Sequence, residues 1–391
     1  MSLIGTWVQS TAQWWLIYRL TQSPWLLGLA GFAGQAPVFF LATVGGAVAD
    51  RRQRRAVLIA TQTTSLVLAF ALAAITLTGH VRVWEVFALA AMLGVVNAFD
   101  IPTRQSFIVE MVGKEDLANA IALNSSMFNG ARVLGPTVAG FLVAAIGEGW
   151  CFFVNGVSFL AVIAGLLWMR VPRREISPLA VSALAHAAEG FRFVARTAPM
   201  RAILVLLAVV SMAGTPYSVL MPVIAKDVLH GGAEALGILM GASGVGALAG
   251  ALLLATRSGV RGLGRWIAAA AGVFGVGLVV FSLSRNLWLS AALLVPVGGG
   301  MMVQMASSNT MLQTMAPDAL RGRIIALYAM TFMGMAPLGA LVAGAVAGRV
   351  GAPLTVAGGG LVSIAAAVLF ASRIPSMREE ARAPVSSGLA R

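Results

Sequence analysis

The sequence predicts an all-α membrane protein of about twelve transmembrane helices, arranged as two six-helix, pseudo-symmetric bundles. Three observations carry that expectation. First, hydrophobic residues make up 59% of the 391 and charged residues only 10%, against about 25% charged in an ordinary soluble domain. So few polar side chains cannot clothe soluble domains of this length, and lipid must solvate most of the surface. Second, apolar runs of about 20 residues, the length that crosses about 30 Å of hydrocarbon, recur twelve times. Third, the basic residues gather in short gaps between those runs, mostly in alternate gaps.

In chain order the runs lie near residues 3–18, 25–48, 56–78, 83–105, 118–146 and 149–169, then 200–224, 234–255, 265–283, 287–314, 320–347 and 353–371. The first is short and begins almost at Met1, which reads as a first helix truncated at its N terminus. It lacks a basic leader and a small-residue cleavage site, so it reads as a membrane helix and not as a secretory signal. The longest hydrophilic interval, Arg170 to Arg201, separates the two sets of six. This gives an N-terminal bundle over 1–170, a linker over 171–199, a C-terminal bundle over 200–372 and a tail over 373–391. In the linker, Leu184, Ala187, Ala188 and Phe191 recur at helical spacing within Ala180 to Val194, as in an amphipathic helix lying on the inner membrane face. The tail, with Pro375, Glu379, Glu380, Pro384, Ser386 and Ser387, has the composition of a disordered segment.

Charge sets the orientation. If the gap after the second run is cytoplasmic, that side collects 21 of the 27 Lys and Arg and the opposite side keeps five, with Arg132 inside a run. By the positive-inside rule both termini are then cytoplasmic, in a multi-pass protein of the inner (plasma) membrane. The net charge of +13 is dispersed over loops, which excludes a nucleic-acid groove. A single cysteine, Cys151, permits neither an intrachain disulfide nor a multi-thiolate metal site. His80, His186 and His230 are far apart, there is no His-Glu-x-x-His, and neither Lys114 nor Lys226 stands in a phosphate-binding loop. Enzyme chemistry, a metal, a cofactor and direct ATP coupling are therefore not expected.

The two halves resemble each other. Ala122, Leu123, Gly130, Gly135, Ala139 and Gly140 align without gaps on Ala326, Leu327, Gly334, Gly339, Ala343 and Gly344, and Leu27-Gly28 on Leu236-Gly237. Parallel six-helix repeats place a substrate site between the halves near the midplane and let them rock about it.

Two motifs narrow the class. Gly46-Ala47-Val48-Ala49-Asp50-Arg51-Arg52-Gln53-Arg54-Arg55 joins the second run to the third, its small residues allowing close helix approach and its acid available to pair with arginine. Taken alone, it could also be a plain positive-inside loop. Gly130-Ala131-Arg132-Val133-Leu134-Gly135-Pro136-Thr137-Val138-Ala139-Gly140 sets small residues where helices touch backbone to backbone, with a proline kink between them. The first segment resembles the loop signature of the major facilitator superfamily, with Gln53 in place of the usual glycine. The second resembles that superfamily's antiporter signature, with Ala139 in place of a glycine. Wider stretches, Asn97 to Gln105, Leu117 to Ser125 and Pro317 to Arg323, are similar to the branch containing enterobactin exporters and related prokaryotic efflux proteins.

The resemblance implies the major facilitator fold, with Asp50, Arg51, Arg54, Arg55 and Asp100 at an inner gate. In the family the acid, an arginine and the second acid, here Asp50, Arg54 and Asp100, latch one conformation. Asp100 reads equally as a helix-end charge facing water. Arg132, buried in a helix at a cost of about 3 kcal/mol on insertion scales, needs a partner or a wet cavity, which suits substrate or proton coupling, or a structural pair with Asp100 or Glu110. Deep amides need hydrogen-bond partners and so mark either helix contacts or a wet path. Gln9, Gln13, Gln35, Asn97, Asn124, Asn129 and Gln304 fall on helices that line the path in the family, whereas Gln62 and Asn155 fall on peripheral ones.

The expectation is a monomeric, proton-coupled exporter of a small amphiphilic molecule such as a siderophore, drug or metabolite, working by alternating access. Carboxylates to carry the proton are few: Asp50, Glu85, Asp100 and Glu110. An importer on the same fold, or a transport-inactive receptor or scaffold, are the alternatives.

Overall fold

The computed structural model describes residues 2–112, 116–169, 183–257, 259, 262–317 and 320–386. The first part of the expected linker, residues 171–182, and the chain after Ser386 lie outside the described residues. The described chain is all-helical. Six helices come first: α1 (Ser2–Thr21), α2 (Pro24–Arg51), α3 (Arg54–Leu77), α4 (Val83–Val112), α5 (Leu117–Ile146) and α6 (Glu148–Trp168). Then come a short helix α7 (Ala183–Arg196) and an interrupted one, α8 (Ala198–Val228). Five more follow: α9 (Ala233–Ala255), α10 (Leu263–Leu283), α11 (Leu287–Met315), α12 (Arg321–Val350) and α13 (Ala352–Ser386).

Ten of these are long and apolar enough to cross a membrane: α2, α3, α4, α6 and α8 to α12, with the Ala352–Pro375 part of α13. The apolar runs in the sequence predict twelve. Of the other two, α1 is diluted by Gln9, Ser10, Thr11 and Gln13, and α5 contributes the apolar helix Val133–Ile146 among the described residues. Their polar residues are compatible with membrane depth because α1 packs against α5 and α6 instead of facing lipid all round.

Local chemistry sets the boundaries. Ser23 caps α2, its hydroxyl accepting from the Leu26 N–H at 3.4 Å with Pro24 in the first turn, and Asn286 caps α11 by accepting from Trp288 and Leu289 at 3.0 and 3.1 Å. Gly147 and Gly351 terminate α5 and α12 at φ +82° and +88°, a conformation that disfavours any side chain. These two turns sit at the same sequence offset as Gly140 and Gly344, which extends the repeat read in the sequence.

One expectation needs correction. The tail continues α13 as helix to Ser386, because Met377 to Ala383 consists of good helix formers despite its charge. The amphipathic segment forms α7, with Phe191 64% exposed. Its other side carries Gly190, Phe193 and Val194: a Cβ on Gly190 would lie 3.0 Å from Cβ of Arg323 on α12, and Glu189 pairs with that arginine.

Candidate functional site

Two helix pairs make the largest contacts between the part of the chain before α7 and the part after it: α2 with α12, and α5 with α9. At the end of the molecule carrying Arg19, each pair meets backbone to backbone. A Cβ on Gly140 of α5 would lie 2.5 Å from Cα of Gly237 on α9. A Cβ on Gly344 of α12 would lie 2.8 Å from Cα of Gly28 on α2. The repeat aligned Gly28 with Gly237 and Gly140 with Gly344, so the two contacts are exchanged by the internal symmetry. Further along α5, toward the end carrying Arg54, a Cβ on Gly130 would meet nothing within 4 Å, and Leu123 is 62% exposed.

The tight end is also tied by side chains. Buried Tyr18 of α1 donates its hydroxyl to Asp227 Oδ2 of α8, and Lys226 Nζ sits 5.7 Å from the centre of the Tyr18 ring. Arg19 Nε donates to Glu148 Oε1 of α6 at 2.7 Å. Nothing local in the sequence singles out Asp227, whose partner is 209 residues away in the chain.

Between the two pairs lies a cavity of about 440 Å³, within the range of about 300–1,000 Å³ usual for small-molecule sites. The interruption of α8 shapes one wall. Pro216 and Pro222 lack an N–H, and the helix loosens into wide turns over Val210–Gly214 and Ile224–Val228 and a tight one over Thr215–Ser218. Thr215 to Val219 line the cavity as a result. Tyr217 is held there by its hydroxyl 2.7 Å from Ser243 Oγ and by an edge-on Phe274 ring at 6.1 Å. Trp7 and Trp14 of α1 and Met301 and Met302 of α11 add apolar wall.

Of the expected path residues, Gln13, Gln35 and Asn97 line this cavity, as does Pro136. Gln9 does not: its Oε1 accepts from Asn155 Nδ2 at 2.7 Å, joining α1 to α6. Gln304 is fully buried within the helix packing; its Nε2 reaches Ser308 Oγ at 3.4 Å, and its Oε1 has no partner among the described residues. Asn124 is exposed and off the cavity. The side chains of Asn129 and Arg132 lie outside the described residues. Gly135 makes room for Trp7, since a Cβ there would collide with the Trp7 Cβ. Tyr217 and Ser243 were missed; the Thr215-Pro216-Tyr217-Ser218 turn signal was the available clue.

At the other end, Arg54 is the hub. Its Nη1 donates to Glu110 Oε1 and to the Ser106 carbonyl, both at 2.9 Å, its Nε to the Ala49 carbonyl at 3.3 Å and its Nη2 to Asp50 Oδ1 at 3.4 Å. Arg55 donates to the carbonyls of Leu166 and Leu167 at 2.6 and 2.7 Å, satisfying the last turn of α6. Arg51 is exposed. Asp100 stands apart from this hub. It is buried, its Oδ1 accepts from Thr61 Oγ1 and Gln62 Nε2, both at 2.8 Å, and Arg104 Nη2 is 3.5 Å from its Oδ2. The second acid beside Arg54, after Asp50, is thus Glu110, and Asp100 faces α3 and not water. Gln62, discounted from sequence, is one of its two donors. Glu85 accepts from the Arg82 N–H at 2.9 Å and serves as a helix-start cap.

Comparison with known proteins agrees with this architecture. The family described as transmembrane secretion effector matches residues 1–388. The multidrug efflux pump Tap of Mycolicibacterium fortuitum is 27% identical over 352 residues, covering 86% of this chain and 84% of that protein. An enterobactin exporter, EntS, of Shigella boydii is 27% identical over 318 residues, covering 80% and 74%. The crystal structure of the nucleoside transporter NupG superposes with a TM-score of 0.71 over 95% of this chain and 95% of that one, at 13% identity, a likeness of fold. The chain belongs to the transmembrane secretion effector family of the major facilitator superfamily, and is a multi-pass secondary transporter, not an enzyme.

Proposed function

We propose that the protein exports a small amphiphilic molecule by alternating access, driven by the proton gradient. The observation that carries this reading is the asymmetry of the interface: backbone-to-backbone closure at the Arg19 end, looser packing toward the Arg54 end, and a cavity between. With the arginine-rich Arg54 end in the cytoplasm, this is a state closed to the outside. The halves 1–170 and 200–372 would rock as two six-helix bundles about the α2–α12 and α5–α9 contacts, with both termini inside and the monomer as the working unit. Export is favoured by the likeness to the efflux pump Tap and the enterobactin exporter EntS and by the Gly135-Pro136 motif. Asp50, Arg51, Arg54, Arg55 and Asp100 remain the gating set, with Glu110 added as the acid that Arg54 holds in this state. Arg132 is assigned to substrate or proton coupling.

Flux in proteoliposomes tests the reading. Movement of a fluorescent amphiphile that stops when the proton gradient is collapsed is the expected result; gradient-insensitive flux removes proton coupling, and ligand binding without flux indicates a receptor. Arg132→Ala is expected to abolish flux while leaving membrane insertion intact, and wild-type flux in that variant would sink its role.

A further inference from the structure

We infer that the central cavity selects an uncharged, aromatic ligand carrying hydrogen-bonding groups, and discriminates against organic anions and cations of the same size. The inference rests on the proposed function only in taking this cavity as the ligand site.

Its lining is the argument. No Asp, Glu, Lys, Arg or His is among the described residues that line it. Ionisable groups close in sequence to the lining are engaged elsewhere. Arg19 lies two residues beyond Ile17 but pairs with Glu148 at 2.7 Å. Asp100 lies one turn beyond Asn97 but turns to Thr61 and Gln62 on α3. Asp227 and Lys226 lie beyond Met221 and contact Tyr18 at the closed end. Moving an ionised group from water into such a site without a counter-charge is strongly unfavourable.

What the lining does offer is flat and polarizable. Trp7, Trp14, Tyr217 and Phe332 supply ring faces and edges, which bind aromatic rings in offset or edge-on geometry. Methionines 240, 301 and 302 supply thioethers that adapt to a ring edge. Gln13, Gln35 and Asn97 each carry both a donor and an acceptor, so they orient a ligand's hydrogen-bonding groups without requiring net charge. The Tyr217 hydroxyl, paired with Ser243 at 2.7 Å, adds one more exchangeable partner. Arg132 stands one turn before Pro136 with its side chain outside the described residues, so recognition of an anion by that arginine is the rival the experiment must exclude.

The test uses two probes with the same ring system on purified full-length protein in detergent: N-phenyl-1-naphthylamine, uncharged at neutral pH, and its sulfonated analogue 8-anilinonaphthalene-1-sulfonate. Ethidium serves as the cationic probe. Binding is read by saturable tryptophan quenching and by the shift in unfolding midpoint that a ligand of the folded state produces. The uncharged probe is expected to saturate and raise the midpoint, with the sulfonate and ethidium at least ~10-fold weaker, a difference of about 1.4 kcal/mol. Trp14→Leu should weaken the uncharged probe by ~2- to 10-fold, the size of one aromatic contact. Gln35→Leu, which removes a lining amide without touching a tryptophan, should weaken it as well. Tighter binding of the sulfonate, abolished by Arg132→Ala, would overturn the inference in favour of an anion site; tighter binding of ethidium would overturn it in favour of a cation site. Signal from the uncharged probe that never saturates, or that both variants leave unchanged, would also overturn it. Uncharged-probe binding without proteoliposome flux defeats the transport reading and leaves the ligand class standing. Flux of an anion that the uncharged probe cannot compete defeats the ligand class and leaves transport standing.

Discussion

At the scale of single residues, the charged groups sort by what their neighbours leave unsatisfied when they are removed. Asp100 is 3% exposed and receives two hydrogen bonds at 2.8 Å, so truncating it strands one Gln62 N–H in a dry interface and leaves the Thr61 hydroxyl only the Leu58 carbonyl at 3.0 Å. Orphaned buried donors cost about 1–3 kcal/mol. Asp100→Ala should therefore lower the thermal midpoint in detergent, and Asp100→Asn should recover much of the loss, since an amide oxygen still accepts both bonds. Equal midpoints for Asp100→Ala and wild type would show that α3 and α4 do not depend on this cluster. Asp50 differs in kind: 70% of its side chain is exposed and it sits 3.4 Å from Arg54, an arrangement worth little in water. Its charge was legible in the sequence, but which acid Arg54 would choose was not. Glu110 lies 56 residues from Arg54, and only the packing of α3 on α4 decides that pairing.

At the scale of elements, glycine-on-glycine contact lets α5 meet α9, and α2 meet α12, with no side chain between. At Gly140 the obstructing atoms are backbone: Cα of Gly237 and the carbonyl oxygen of Ala233 lie 2.5 and 2.7 Å from where a Cβ would stand, and backbone cannot step aside as a flexible side chain can. Gly140→Val is therefore expected to separate α5 from α9 and bias the protein toward the state open at the Arg19 end. A cysteine at cavity-lining Ile17, in a Cys151→Ala background, should then label several-fold faster with a membrane-impermeant maleimide added from the Arg19 side. Gly28→Val should act alike through the symmetric contact. Unchanged labelling in both would mean that these contacts do not close the cavity. The small-residue spacing was readable in the chain; that two aligned pairs would meet crosswise required the helices to be assembled.

At the scale of the whole molecule, the tie between Tyr18 and Asp227 joins α1 to α8 at the closed end, with Lys226 over the tyrosine ring. A bond that exists only in the closed state biases the two-state equilibrium by its own free energy and no more. Tyr18→Phe and Asp227→Asn should each raise the labelling of Ile17→Cys from the Arg19 side, and the double variant should give no more than the larger single effect, as expected of residues that share one interaction. Additive effects would show that the two side chains act through separate partners.

By itself the sequence determined that this is a helical membrane protein with an arginine-rich end, a repeated small-residue pattern and the motifs of its superfamily. Those properties are local or periodic: composition decides the solvent, run length decides the span, and spacing decides which residues share a face. Only the tertiary structure decided that Gln13, Gln35 and Asn97 share a cavity while Gln9 and Gln304 leave it, that Arg54 holds Glu110, and that α8 breaks against that cavity to present Tyr217. Each depends on which helices become neighbours. An amide's partner, a carboxylate's counter-charge and the lining of a cavity are set across the fold by residues that the chain keeps far apart.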